Sequence, residues 1–462
     1  MEYIENKTFD EISVGDTAEL VRTLTSQDID LFAVMSGDVN PAHVDEEFAK
    51  TDMFHEVIAH GMWGGALISA VLGTELPGPG TIYLKQSLNF RKPVGIGDTV
   101  TVKLTVKEKN TTKKRLIFSC ICKNQENQTV IEGLAEVVAP TEKIRRPRVV
   151  LPEVLMHERG VRYQELFRAT KGIEPIRTAV VHPCDRLSLE SALEAGNQGM
   201  IKPILIGPIG RIKQLAADYG LSLQNISVID VAHSQAAAQC ALQLVRDNEA
   251  DAIMKGALQT DKLMAEVVKR DSGLRTENLM SHVYVLDVPH YHKLLLITDA
   301  EINISPDLQG KREIIQNSIN LAHAIGITQP KVAILSALED IAPKIPSTID
   351  AAALCKMAER GQLSGALVDG PLSFDLAISK EAAESKDIRS DIAGDVDILV
   401  APDIEAGAMI AQQLAGAEAA GIVLGASVPI MLSSRADSTM ARLASCALAQ
   451  LLFYRKTTIN VD

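Results

Sequence analysis

Apolar positions follow two rhythms along the chain. From Ile58 to Gly73 they are almost continuous, Ile58-Ala-His-Gly-Met-Trp-Gly-Gly-Ala-Leu-Ile-Ser-Ala-Val-Leu-Gly73, which predicts a buried helix with Trp63 in the core. After the turn residues Pro77-Gly-Pro-Gly80 the period becomes two. Ile82, Leu84, Leu88 and Phe90 alternate, then Val100, Val102, Leu104 and Val106, then Leu116, Phe118, Cys120 and Cys122. One apolar helix followed by half-buried antiparallel strands predicts a sheet wrapped around that helix, within residues 1–140. Residues 141–155, with Thr141-Glu-Lys-Ile-Arg-Arg-Pro-Arg148, keep neither rhythm and read as a linker. From Tyr163 short β runs alternate with helices: Arg177–Val181, Pro203–Gly207, Ile226–Asp230, Lys331–Leu335, Ala366–Asp369, Val396–Val400 and Ser427–Met431. This alternation predicts a parallel α/β sheet over 156–462. Its length predicts two lobes, 156–295 with 425–462 and 296–424, and a ligand cleft outside the strand carboxyl ends.

Length agrees with more than one domain, since 462 residues exceed one ordinary core. Asp and Glu outnumber Lys and Arg by 59 to 46, and no long basic cluster exists, so nucleic acid and membrane surfaces are not expected partners. The start, Met1-Glu-Tyr-Ile-Glu-Asn-Lys7, lacks the apolar run of a signal peptide, and nowhere do about 18 uninterrupted apolar residues occur. A soluble cytoplasmic protein is the expectation. The six cysteines are scattered and read as reduced core residues. His290 and His292 lack partners at metal-ligand spacing and read as a loop or strand edge, so no metal is expected.

Candidate chemistry begins at Met35-Ser-Gly-Asp-Val-Asn-Pro-Ala-His-Val-Asp45. Asn40 suits an N-cap and Pro41 a first helical position, with Asp45, Glu46 and Glu47 adding favourable charge to the same helix. Asp38 then precedes the helix and His43 lies in its first turn. Five residues apart, the two cannot share one face of a continuous helix, so a loop-to-helix break is what aims both into one cleft. In the apolar helix, Gly61 offers an N–H at or near the helix start, a candidate donor to a developing oxyanion. Ser36-Gly-Asp-Val-Asn-Pro-Ala-His-Val-Asp45 together with Ala59-His-Gly-Met62 resembles the MaoC-type (R)-specific enoyl-CoA hydratases of the hotdog fold. Arg91-Lys-Pro-Val94 and Gly97-Asp-Thr99 echo that family too. The resemblance implies that Asp38 and His43 are the catalytic pair, with Asn40, His60 and Gly61 at the substrate, and that the site is built in a homo-oligomer.

In the second half the informative strand endings are Met254-Lys-Gly256, Thr276-Glu-Asn-Leu-Met-Ser-His-Val283, Asp369-Gly-Pro-Leu-Ser-Phe-Asp375 and Pro429-Ile-Met-Leu-Ser-Ser-Arg-Ala-Asp-Ser438. None is a Walker loop or a dinucleotide fingerprint. Together they resemble the phosphate acetyltransferase and phosphate butyryltransferase family over about residues 156–462. Such a reaction moves an acyl group between the CoA thiol and phosphate, so the site must hold a dianion, activate a thiol and stabilise a tetrahedral oxyanion. Arg435 suits phosphate as a planar fork of donors, and Ser434 suits the acyl oxygen or the sulfur. Asp437 is the nearest candidate base. The acetyltransferase pattern puts its acidic residue further on, where this chain has Ala441. Arg275, just before an expected helix start, and Lys255 are further candidate phosphate ligands, and Asp369 and Asp375 candidate ligand contacts.

The combined expectation is an α+β hotdog domain followed by a two-lobed α/β phosphotransacylase. It would use CoA esters and phosphate as substrates and need no cofactor. Two alternatives stand beside this bifunctional reading. One is a phosphate butyryltransferase whose hotdog domain only binds or senses CoA esters, against which intact Asp38 and His43 argue. The other makes the hotdog half a thioesterase, against which the absence of an acid between Gly61 and Gly73 argues.

Overall fold

In a computed structural model the chain divides into two compact units, Met1–Met156 and His157–Asp462. The structure describes residues 3–151, 154, 160–289, 291–414, 418–434 and 437–459. Arg435 and His290, named above, lie outside them.

The N-terminal unit is a five-stranded antiparallel sheet and one long helix. Its strands are β1 (Thr17–Thr23), β2 (Ile82–Phe90), β3 (Thr99–Asn110), β4 (Arg115–Lys123) and β5 (Thr129–Val138), in the spatial order β1-β3-β4-β5-β2. Helices α1 (Ser26–Ser36), α2 (Pro41–Val44) and α3 (Glu46–Thr51) precede the apolar helix α4 (Gly61–Thr74). Trp63, Ile68, Val71 and Leu72 of α4 pack on Val102, Leu104, Phe118 and Val137 of the sheet, all of them buried. Alternation along β3 and β4 therefore points one set of side chains at α4, as period two requires. The opposite side of α4 is not covered within the unit. Met62 is 55% exposed, and the open edge strand β2 leaves Ile82 and Phe90 59% and 53% exposed.

Two local expectations change. The helix expected to run on through Asp45 and Glu47 is two short helices. Asp45 ends α2 and caps α3, its carboxylate accepting from Glu47 N at 2.9 Å and Phe48 N at 3.0 Å. An aspartate that can bond amides two and three residues ahead favours such a restart over a continuous helix.

The C-terminal unit carries β6 (Ile176–Val181), β7 (Ile201–Gly207), β8 (Ser227–Asp230), β9 (Ala252–Lys255), β10 (Ser281–Asp287), β11 (Leu295–Thr298), β12 (Lys331–Leu335), β13 (Leu367–Leu372), β14 (Ile398–Val400), β15 (Glu418–Leu424) and β16 (Ile430–Met431). They form one sheet in the order β8-β7-β6-β9-β16-β15-β10-β11-β14-β12-β13. The parallel pairing expected from alternation holds in two blocks, β8 to β16 and β11 to β13. Between the blocks β15 and β10 run antiparallel to their neighbours and to each other, so the sheet as a whole is mixed. The second changed expectation lies here: Thr276–Val283 leads into strand β10 and not into a helix. His282-Val-Tyr-Val-Leu286 is a short run with β-branched and aromatic residues, buried on both faces of the sheet, and this favours a central strand over a helix.

Helix α5 (Thr439–Ile459) packs against β15, with Leu443, Ala444, Leu448 and Leu452 buried in the same core as Ala420 and Ile422. Tyr163 pins the antiparallel junction. Its hydroxyl lies 2.7 Å from Val285 O of β10 and 2.7 Å from Glu418 O of β15, and accepts from Ala420 N at 3.2 Å. All six cysteines are free thiols, buried or half-buried.

Gly133 of β5 has no room for a side chain, because a Cβ there would lie 1.8 Å from the Ser87 carbonyl oxygen on β2. Gly133→Ala should destabilise the N-terminal unit by about 1–3 kcal/mol or more, the usual cost of overpacking. Urea unfolding of the full chain should show the earlier midpoint in the N-terminal transition alone; an unchanged midpoint contradicts the close packing of β2 on β5.

Candidate active sites

In the N-terminal unit the site is assembled by a helix that stops and one that starts. Helix α1 opens with a Thr25–Asp28 capping box and ends at Gly37, whose φ of 76° suits glycine. Asp38 follows, its N–H donating to Ser36 Oγ at 3.2 Å and its Oδ1 accepting from Asn40 N at 3.2 Å. Asn40 spends its side-chain oxygen on Ala42 N at 3.2 Å, so it acts as the N-cap of α2. His43 of α2 has Nδ1 2.8 Å from the Ile58 carbonyl, and buried His60 has Nε2 3.0 Å from the Asp38 carbonyl. A carbonyl only accepts, so these nitrogens carry the protons. In their neutral forms His43 therefore presents Nε2, and His60 presents Nδ1, as bare lone pairs. The two rings lie 4.1 Å apart, and Asp38, His43 and His60 each place one ligand-type atom within 4.8 Å of the others.

Beside this group is a cavity of about 300 Å³. His43, His60 and Gly61 line it together with Phe54, Trp63 and Ile131. Gly61 is the first residue of α4, and no side chain caps that helix start. Its amide is thus free of a competing side-chain acceptor, as a donor to a substrate oxygen needs to be. The open Gly61 Cα also admits the Phe90 ring, which a Cβ would meet at 3.1 Å.

In the C-terminal unit, β6, β9 and β16 are parallel neighbours, so their carboxyl ends share one edge of the sheet. That edge gathers Cys184 and Asp185 after β6, Lys255 at the end of β9, and Ser433 and Ser434 after β16. Ser433 Oγ reaches the Lys255 carbonyl at 3.4 Å, while Ser434 N donates to Asp437 Oδ2 at 2.5 Å. Arg442 of α5, only 3% exposed, donates from Nη2 to Ser434 O at 2.7 Å and from Nη1 to Ser188 Oγ at 3.4 Å. Burial pushes the Asp437 carboxyl above its ordinary value, against the pull of the Ser434 amide and of the Arg442 and Lys255 charges. An aspartate so placed is a better proton acceptor than an ordinary surface carboxylate. A cavity of about 490 Å³ adjoins the cluster, lined by Cys184, Asp185, Arg186, Arg211, Ala257 and Arg442.

Lys255, Ser434 and Asp437 are thus brought together, while the other candidates stand apart. Arg275 is exposed, pairs its backbone with Ala426, and lines a separate cavity with Asn278, Asn303 and Glu313. Asp369 lies on β13, seven strand positions from β9, and its Oδ1 accepts from the Gly370 amide at 2.8 Å. Asp375 follows the same edge strand and accepts from Ser373 Oγ at 2.6 Å. His292, read above as a loop histidine, pairs with Asp395 at 2.7 Å. Sequence reasoning missed Asp185, Arg186, Arg211 and Arg442. His182-Pro-Cys-Asp-Arg186, a polar run directly after buried Val180 and Val181, was a signal, as was Arg442, the one cation before Arg455 among the alanines and leucines of α5.

Residues 235–450 match the family model described as "Phosphate acetyl/butaryl transferase", and residues 13–121 match the "MaoC like domain" model. A phosphate acetyltransferase of Rhizobium meliloti is 52% identical over 65% of this chain and 96% of its own length. The chain belongs to the phosphate acetyl/butyryltransferase family. A branched-chain phosphotransacylase structure from Enterococcus faecalis superposes on this transacylase with TM-score 0.53, at 30% identity over 60% of this chain and 99% of that one. The unliganded (R)-hydratase PhaJ1 of Pseudomonas aeruginosa is 44% identical over 34% of this chain and all of its own, with TM-score 0.33. The MaoC-like hotdog assignment rests on the matching model and the strand order. Both family resemblances drawn from the sequence therefore hold, a MaoC-like hotdog unit being fused to a phosphotransacylase.

In the transacylase, Arg442 holds the Ser434 loop by a charge-assisted bond to a backbone carbonyl. Arg442→Met keeps the stem and removes the donors. Bonds to charged groups are worth about 1.5–3 kcal/mol, so the variant should lose about tenfold or more in transacylation turnover. Steady-state kinetics with unchanged turnover would remove Arg442 from the support of the loop.

Proposed function

We propose that the protein is a bifunctional acyl-CoA enzyme. Its C-terminal unit is a phosphate acetyl/butyryltransferase, and we assign it the reversible reaction acetyl-CoA plus phosphate to acetyl phosphate plus CoA. Its N-terminal unit hydrates trans-2-enoyl-CoA to (3R)-hydroxyacyl-CoA. The observation that carries the second assignment is the meeting of Asp38 and His43 beside an apolar cavity with the Gly61 amide at its wall.

In the hydration, His43 Nε2 accepts a hydrogen bond from water and aligns it, and the Asp38 carboxylate takes the proton as the water oxygen bonds to Cβ. Negative charge moves onto the thioester oxygen, where the Gly61 N–H holds it. The proton is then returned to Cα, completing addition of H and OH across the double bond. In the transacylation, Asp437 takes the CoA thiol proton and the sulfur attacks the acyl carbonyl. Ser434 donates to the developing oxyanion, and the C–O bond to phosphate breaks. Lys255, and Arg435 by its place in the motif, carry the phosphate charge, while the cavity lined by Arg186, Arg211 and Arg442 suits anionic groups of CoA.

The uncovered face of α4 and the open edge of β2 support a homo-oligomer. Light scattering that shows only a 49.8 kDa monomer at micromolar concentration contradicts it. No helix among the described residues is long and apolar enough to cross a membrane, in keeping with a cytoplasmic enzyme.

Asp38→Asn should lose more than a hundredfold in crotonyl-CoA hydration, since general-base catalysis contributes about 10²–10⁴. Near-normal hydration by the folded variant sinks the assignment. Arg435→Ala should raise the KM for phosphate and lower transacylation turnover while leaving hydration untouched, and Ser434→Ala should act mainly on turnover. Both activities are measured on one preparation; phosphate kinetics identical to wild type would exclude Arg435. Because burial raises the Asp437 pKa, the acid limb of the transacylation pH profile should lie above the ordinary aspartate value of 3.8. Asp437→Asn should abolish that limb, and an unshifted limb in the variant would give the base role to another group.

A further inference from the structure

The loop-to-helix group in the hotdog unit holds one lone pair that the hydration does not use, on His60 Nδ1. His43 and His60 each direct one ring nitrogen at a backbone carbonyl, at 2.8 and 3.0 Å, which is how metal-binding histidines are commonly oriented. Each is left with a lone pair on its other nitrogen. For His60 that nitrogen, Nδ1, is buried in a residue only 2% exposed and has no hydrogen-bond partner among the described residues. A buried acceptor without a donor is destabilising, so a ligand that takes its lone pair is stabilising. One ring nitrogen of each histidine and a carboxylate oxygen of Asp38 lie within 4.8 Å of one another.

We propose that Asp38, His43 and His60 form a site for a divalent transition metal of borderline softness, with Zn²⁺ the best match, and that the metal inhibits hydration. Two imidazoles and a carboxylate are a common three-ligand zinc set, with a fourth position left for water. Ligand distances of about 2.0–2.2 Å to the metal need the three atoms nearer together than 4.8 Å. Asp38 supplies that movement, being exposed on the loop between Gly37 and Asn40. A bound metal occupies the same Asp38 oxygen and His43 Nε2 that the hydration needs. It is therefore a competitor of the reaction and not its cofactor. The inhibition rests on the hydratase reading above; the binding does not.

The test uses the full-length protein stripped with chelator and titrated with zinc chloride by calorimetry, alongside crotonyl-CoA hydration over the same zinc range. The expected result is one saturable Zn²⁺ per protomer whose dissociation constant matches the inhibition constant, with hydration restored by EDTA. Asp38→Asn and His43→Gln should each weaken binding by more than about tenfold, since even a lost outer-sphere partner costs about 10–100-fold. His60→Gln, whose amide nitrogen can still reach the Asp38 carbonyl, should weaken it as well. Circular dichroism confirms that the variants fold. Absence of saturable binding to the wild type, or binding of equal strength in all three folded variants, overturns the site. Zinc binding that depends on these residues in a protein without hydration activity supports the site while removing the hydratase reading. Hydration active and indifferent to zinc overturns the inhibition.

Discussion

The C-terminal unit depends on one junction, the antiparallel pairing of β10 with β15 at the centre of the eleven-stranded sheet. Each parallel block needs crossover helices on its faces and could have formed a sheet of its own. The junction fuses the two because β15 also pairs with β16, the last strand of one block, and β10 with β11, the first of the other. Tyr163 bonds backbone groups of both strands, and Arg162 pairs with buried Asp287 at the end of β10. Helix α5 then covers β15 with an alanine- and leucine-rich face. The Ser433–Ser434 loop, between β16 and α5, takes its position from both.

That placement explains how one edge of the sheet gathers the chemistry. Parallel strands bring equivalent ends together, so residues almost 180 positions apart, such as Lys255 and Ser433, meet through a hydrogen bond. The buried Arg442 guanidinium is stabilised by the Ser434 carbonyl and by nearby carboxylates, and in return fixes the loop. Desolvation has opposite effects on the two charges there. It makes Asp437 more basic, while Arg442 remains a cation because its ordinary pKa is so high.

The hotdog unit solves a similar problem with caps in place of strand ends. Gly37 stops one helix, Asn40 starts another, and His60 at the head of α4 bonds the carbonyl between them. Three helix ends thereby meet at one group of side chains, whose ligand-type atoms lie within 4.8 Å of one another. The histidine tautomers are set by backbone carbonyls, which makes the lone pairs at His43 and His60 a property of the fold and not of the solvent.

Much of this was written in contiguous residues. The apolar helix after Ile58, the alternation in β2, β3 and β4, the loop carrying Asp38 and His43, and the strand before Ser434 all depend on local periodicity and turn chemistry. Local signals of that kind survive without knowledge of what packs where. The tertiary structure alone decided which strands are neighbours. It joined the two parallel blocks through β10 and β15, neither of which the alternation had marked as a strand. It set Asp369 and Asp375 at the far edge of the sheet, although they too follow a strand. It also brought Arg442 and Arg211 to the transacylase cavity and turned His60 toward the Asp38 carbonyl. The physical reason is that pairing energy in a sheet comes from backbone bonds every strand can make. The choice of partner is then settled by burial and packing summed over the whole unit.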